Sequence, residues 1–142
     1  MIKEKYEKLL KAVDAEDQEF IYDYMNAFRK YVNAVVKMEI RIPLIRFRLE
    51  AEELQYEIMQ MDADRRRCHE AAIDACNILN RFSERLGLEP FFEGDTKDRY
   101  AVADFCLEVC QELFMAGQKK TIAEMAKEGD IVPALKKEEC FK

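Results

Sequence analysis

An apolar or small residue returns every three or four positions from Leu44 to Leu86. The series is Leu44, Phe47, Ala51, Leu54, Ile58, Met61, then Cys68, Ala72, Ala75, Leu79, Phe82 and Leu86, broken only at Arg65. At ~3.6 residues per turn only an α-helix brings such positions to one side, and a seam this regular demands cover from other helices. Run unbroken from Pro43 to Leu86, the helix would be about 65 Å long at ~1.5 Å per residue. Asp62 and Asp64 in MDADRRR are good N-cap residues, so the sequence leaves open both a continuous helix and a break there.

The rest of the chain is helical by the same criterion. Tyr6, Leu9, Leu10 and Val13 mark a short helix from Ile2 to Val13. Asp14 or Asp17 caps a second, roughly residues 16–39, whose apolar set is Phe20, Ile21, Tyr24, Phe28, Tyr31, Val32 and Val35; Asn33 and several charged residues fall mostly away from that set. Pro43 is expected to end this helix and begin the next, Gly87 to stop that one, and Asp95 or Thr96 to cap the last strong helix, 97–115. That last helix is apolar on more than one side. Beyond Gly117 the sequence turns Lys/Glu-rich, with Gly129 and Pro133 as interruptions. The expected fold is therefore all-α, an elongated helical bundle of about four main helices with a short N-terminal helix. Residues 1–117 form the bundle domain; residues 118–142 form a charged C-terminal tail with a short helix, not a separate domain.

Four glycines and three prolines in 142 residues, with 49% hydrophobic and 37% charged residues, fit a helical chain with segregated faces. The net charge of -6 argues against general affinity for nucleic acid. The opening MIKEKYEKLLKAVDAED is charged throughout and does not read as a signal peptide. No stretch of ~18 uncharged apolar residues occurs, so no membrane association is expected and the location expected is cytoplasmic. The five cysteines lack zinc-ribbon spacing and read as reduced, mostly buried thiols.

The stretch RRRCHEAAIDACNILNR, residues 65–81, concentrates the chemistry: the one histidine, two cysteines and two asparagines behind three arginines. On a helical wheel Cys68, Ala72, Ala75, Cys76, Leu79, Phe82, Ser83 and Leu86 share the core side, and His69 and Asn80 stand at its margin. His69 and Asn80 are eleven residues and ~16 Å apart along the axis, so any partner for His69 comes from another helix. Cys106 and Cys110, at i,i+4, could face one ion, but their helix is apolar nearly all round, and no CxxC, HExxH or paired ExxH occurs. No metal or cofactor is expected. Glycine-rich phosphate loops and nucleophile elbows are missing, which excludes P-loop and serine-hydrolase chemistry.

The arginines in residues 41–48 and 65–67 could hold a phosphate, yet Glu50, Glu52, Glu53 and Glu57 share their helix and would neutralise them. RRRCH is also similar to the Arg-to-His ribonuclease motif of HEPN domains. That motif needs a wider separation than the three residues between Arg65 and His69, and the fitting positions hold Asp62, Ala63 and Asp64.

The run RRRCHEAAIDACNILNRFSERLGLEPFFEGD, followed by RYAVADFCLEVCQELF, resembles the small bacterial helical proteins of the family DUF3232, over about residues 62–114. The matching positions are His69, Asn80, Arg81, Gly94, Asp95, Arg99, Ala103 and Phe105. The resemblance implies a bacterial, helical, cytosolic protein and brings no activity with it.

Three functions remain in view. The first is a non-enzymatic interaction module that pairs with itself or another protein, since so few helices hardly cover so much apolar surface. The second is a small-ligand site or enzyme built from His69, Asn80, Arg81, Asp95 and Arg99 at a helix start. The third is weak nucleic-acid binding through the arginines of 41–48 and 65–67. No residue is assigned a catalytic role.

Overall fold

The computed structural model describes residues 1–135. In chain order they form α1 (Ile2–Lys11), α2 (Ala15–Ile45), α3 (Ala51–Arg85), α4 (Arg99–Val109), a π-helical turn (Cys110–Phe114) that continues α4, and α5 (Ile122–Glu128). There is no strand among the described residues, and the protein is all-α as expected. Cys140 and the end of the expected charged tail lie outside the described residues.

The frame is an antiparallel hairpin of α2 and α3, in register where Tyr31 meets His69 and Arg41 meets Glu57. Two boundaries differ from the sequence expectation. α2 runs through Pro43 to Ile45 instead of ending at RIP. Proline lacks one N–H and crowds the preceding turn, but it stands two residues from the end of this helix, and the Ile42 carbonyl is taken up by the Arg46 amide at 3.0 Å. α3 then begins at Ala51 and continues unbroken through Asp62–Arg67, a length of about 52 Å at ~1.5 Å per residue. Asp62 therefore caps nothing. It accepts from Arg65 at 2.8 Å and Arg66 at 2.7 Å, one turn along its own helix.

Buried residues occupy only part of this hairpin. On α2 they run from Ile21 to Val36 and on α3 from His69 to Ser83; residues 37–68 contain no buried side chain. Those residues form a two-helix arm whose tip is the turn between Ile45 and Ala51. Leu44 and Phe47, expected in the seam, are exposed there, because no third helix reaches the tip.

The other elements pack on the base of the hairpin. α3 ends in a Schellman arrangement: the Gly87 amide bonds Glu84 O at 3.1 Å and the Leu88 amide bonds Ser83 O at 2.8 Å, with Gly87 at φ 69°. Asp98, rather than Asp95 or Thr96, caps α4 by accepting from the amides of Tyr100 and Ala101. The Met115 amide reaches back to Cys110 O, and the wider turn this closes lets Leu113, Phe114 and Met115 all face the core in succession.

The segment after Gly117 is tied down. Thr121 and Glu124 form a capping box on α5, and Ile122, Met125 and Val132 join the same core as Leu9, Phe28, Leu79 and Phe105. Asn33, placed by its helical position mostly away from the apolar face, is buried. Its amide donates to Val132 O at 3.3 Å and its carbonyl accepts from Val132 N at 2.8 Å. α2 is covered on nearly every side between Tyr31 and Val36, so a polar residue there needs such a partner.

Candidate functional site

Of His69, Asn80, Arg81, Asp95 and Arg99, the structure brings His69 and Arg99 together. Asn80 is committed to the fold: its amide donates to Phe92 O at 2.9 Å and its carbonyl accepts from Phe92 N at 2.8 Å. Phe91 and Phe92 are thereby held in the core, where Phe105 meets them edge-on at 5.6 Å and tilted at 4.9 Å. Gly94 lies under the same ring, since a Cβ there would come within 2.6 Å of Phe92 Cζ. Asp95 closes a local turn by accepting from the Lys97 amide at 2.9 Å, and Arg81 is exposed. Three of the positions that carry the family likeness, Asn80, Gly94 and Phe105, thus surround one phenylalanine.

His69 sits deeper than a surface base, at 8% exposure, packed on the Tyr31 ring with centroids 5.2 Å apart. Its Nε2 is buried and has no hydrogen-bond partner among the described residues. Burial pushes the imidazole below its ordinary value of 6.5; contact with the Arg99 backbone opposes that shift, and the guanidinium charges of Arg65 and Arg99 add to it. Burial also raises the Tyr31 hydroxyl above 10, against the pull of Arg65. His69 and Arg99 are therefore neighbours, and the Glu70 carboxylate also acts on the imidazole, in the direction opposite to the two guanidinium charges.

The thiols are buried structure. Burial pushes Cys76 and Cys110 up to about 12 and Cys106 higher still, which disfavours the free thiolate that a nucleophile needs. Among the described residues no group of three His, Cys, Asp or Glu side chains is placed to hold a metal ion.

Most of the candidate phosphate-binding arginines face carboxylates. Arg41 pairs with Glu57 at 3.4 Å, Arg65 and Arg66 with Asp62, and Arg67 with Asp64 at 3.2 Å.

The arm tip is the surface that sequence reasoning missed. Leu44 is 60% exposed, Phe47 89%, Tyr56 61% and Met59 62%. On α3 the inward positions are Leu54, Ile58 and Met61, all half-buried. Glu52, Tyr56, Met59 and Ala63 follow at steps of four, three and four on the opposite side, all exposed. That second stripe was legible in the spacing, but the stronger first seam masks it. Phe20, Tyr100 and Leu107, the other large exposed apolar residues on helices α2 and α4, lie away from the arm.

Fold and surface define a class: an all-α protein in which a helical hairpin projects from a core closed by three shorter helices. The model of the family described as "Protein of unknown function (DUF3232)" matches residues 1–119, and the chain belongs to this family. No curated protein and no solved structure matches it. No helix among the described residues is long and apolar enough to cross a membrane.

Proposed function

We propose that this protein is a non-enzymatic interaction module that self-associates through the tip of its α2–α3 arm. The observation that carries the reading is the exposed apolar set Leu44, Phe47, Tyr56 and Met59 on an arm, residues 37–68, that holds no buried residue of its own. Grouped exposed apolar side chains mark interaction surfaces in soluble proteins. The free, buried thiols of Cys76, Cys106 and Cys110 fit a reducing compartment.

Light scattering coupled to gel filtration tests the reading. The parent is expected as a dimer or larger species, and a Phe47→Asp, Tyr56→Asp variant as a monomer with unchanged helicity. A parent that stays monomeric at high concentration contradicts it.

One observation favours a small-ligand site instead: the unpartnered Nε2 of His69 beside Arg65 and Arg99. An anion that raises the melting temperature of the parent but not of Arg99→Ala would support that alternative. Nucleic-acid binding has less support, because four of the six candidate arginines, Arg41, Arg65, Arg66 and Arg67, already pair with acids.

A further inference from the structure

We infer that each copy of this chain inserts Phe47 into a cavity on the arm of a second copy, the two docked about a two-fold axis so that each completes the other's cavity. This rests on the self-association proposed above and names the contact that holds it.

The cavity lies where the arm meets the rest of the fold. It holds about 500 Å³, and its apolar lining is Ala34 and Ile40 on α2, Met61 on α3 and Ile131 beyond α5. Arg41 and Glu57, paired with each other, are among the charged residues that complete it. Cavities of roughly 300–1,000 Å³ accommodate whole small molecules, so one phenyl ring fits. The other half of the contact is at the tip. Phe47, 89% exposed, is the most exposed large apolar side chain among the described residues. The helical turn carries on past Ile45, with the Arg46 amide on Ile42 O at 3.0 Å and the Leu49 amide on Ile45 O at 3.3 Å, so Phe47 keeps a helical position.

Spacing along α2 puts both halves on one side of the arm. Ile40, Leu44 and Phe47 follow at steps of four and three, which align on one face of a helix, and Leu44 stands exposed between the cavity and the tip. From Ile40 to Phe47 is about 10 Å along the axis at ~1.5 Å per residue. Turning α2 of one copy antiparallel to α2 of the other, about an axis at Leu44, therefore sets each Phe47 over the other copy's Ile40 and the two Leu44 side chains against one another. An isologous contact pairs residue i with j and j with i, so this one operation fills both cavities and covers both rings. A partner that brought only an apolar side chain would fill the cavity and leave Phe47 in water, and one that brought only a groove would do the reverse. A second copy brings both.

Separate variants of the two halves test this, with sedimentation equilibrium as the readout and circular dichroism as the check on folding. Phe47 and Ile131 are both exposed, so Phe47→Asp and Ile131→Asp are expected to fold as the parent does. Each alone loses both insertions, one for want of the ring and the other for want of an apolar cavity, and should weaken the dimer at least about tenfold. An equimolar mixture retains one insertion, the ring of the Ile131→Asp chain in the cavity of the Phe47→Asp chain, and should form a mixed dimer tighter than either variant with itself. If Phe47→Asp, Tyr56→Asp abolishes the dimer while Phe47→Asp and Ile131→Asp each keep parental affinity, the insertion is wrong and self-association stands. If Phe47→Asp dissociates the dimer and Ile131→Asp does not, the ring enters some other surface and the insertion is again wrong. If both dissociate it and their mixture stays monomeric, the reciprocal contact is wrong. A parent that is monomeric at every concentration overturns both readings.

Discussion

Asn80 and Asn33 do the same work at opposite sides of the hairpin, each presenting its amide to both backbone groups of one distant residue. Truncation strands two polar groups, each worth about 1–3 kcal/mol when left unpaired. Asn80→Ala should lower stability by about 2 kcal/mol, read as a shift of the urea midpoint at constant slope; an unchanged midpoint would remove the clamp from the account. His69 gives a pH signature. Its folded pKa lies below 6.5, so as the pH falls the unfolded chain takes up the proton first. The stability that depends on neutral His69 is whole above about pH 6.5 and is lost as the pH drops from there toward the folded value. Between about pH 7.5 and 5.5 the parent should therefore lose more melting temperature than His69→Gln; equal losses would show that the imidazole is not held neutral. Cys76, Cys106 and Cys110 should react with a thiol reagent only on unfolding, whereas half-buried Cys68 should react slowly in the native protein.

The elements show what spacing can and cannot reveal. Leu79 and Ala72 lie in the core as the three-four rhythm requires, and Leu44 and Phe47 obey the same rhythm yet face water. Periodicity reports that a side of a helix is apolar, and says nothing of whether another helix arrives to cover it. Pro43 misleads for a related reason: its penalty is small near a helix end, and the turn comes three residues later, at RFRLE. Asn33 stood among polar residues by its angle, but burial of α2 on almost every side is a property of the assembled fold. The core and the arm should differ measurably. Leu79→Ala, which empties a fully buried site, should cost about 2–5 kcal/mol, and Leu54→Ala on the half-buried side of the arm about 1 kcal/mol or less. Equal losses would place the arm inside the cooperative core.

In the whole molecule, α1, α4, α5 and the residues up to Leu135 close the lower part of the hairpin, Gly129 and Ile131 reach the level of Ile40 and Met61, and residues 44–54 at the tip carry no buried side chain. Among the positions that carry the family likeness, Asn80 and Gly94 serve Phe92, a packing role that the order of residues along the chain does not reveal. On the proposed reading the interaction surface is the exposed apolar set of the arm, Leu44, Phe47, Tyr56 and Met59. Hydrogen exchange of the parent, followed at two protein concentrations about a hundredfold apart, tests that placement most directly. Self-association through the arm predicts that amides of residues 44–59 gain protection at the higher concentration while those of 21–36 and 69–83 stay unchanged. Identical exchange of residues 44–59 at both concentrations, or a gain confined to another surface, would contradict it.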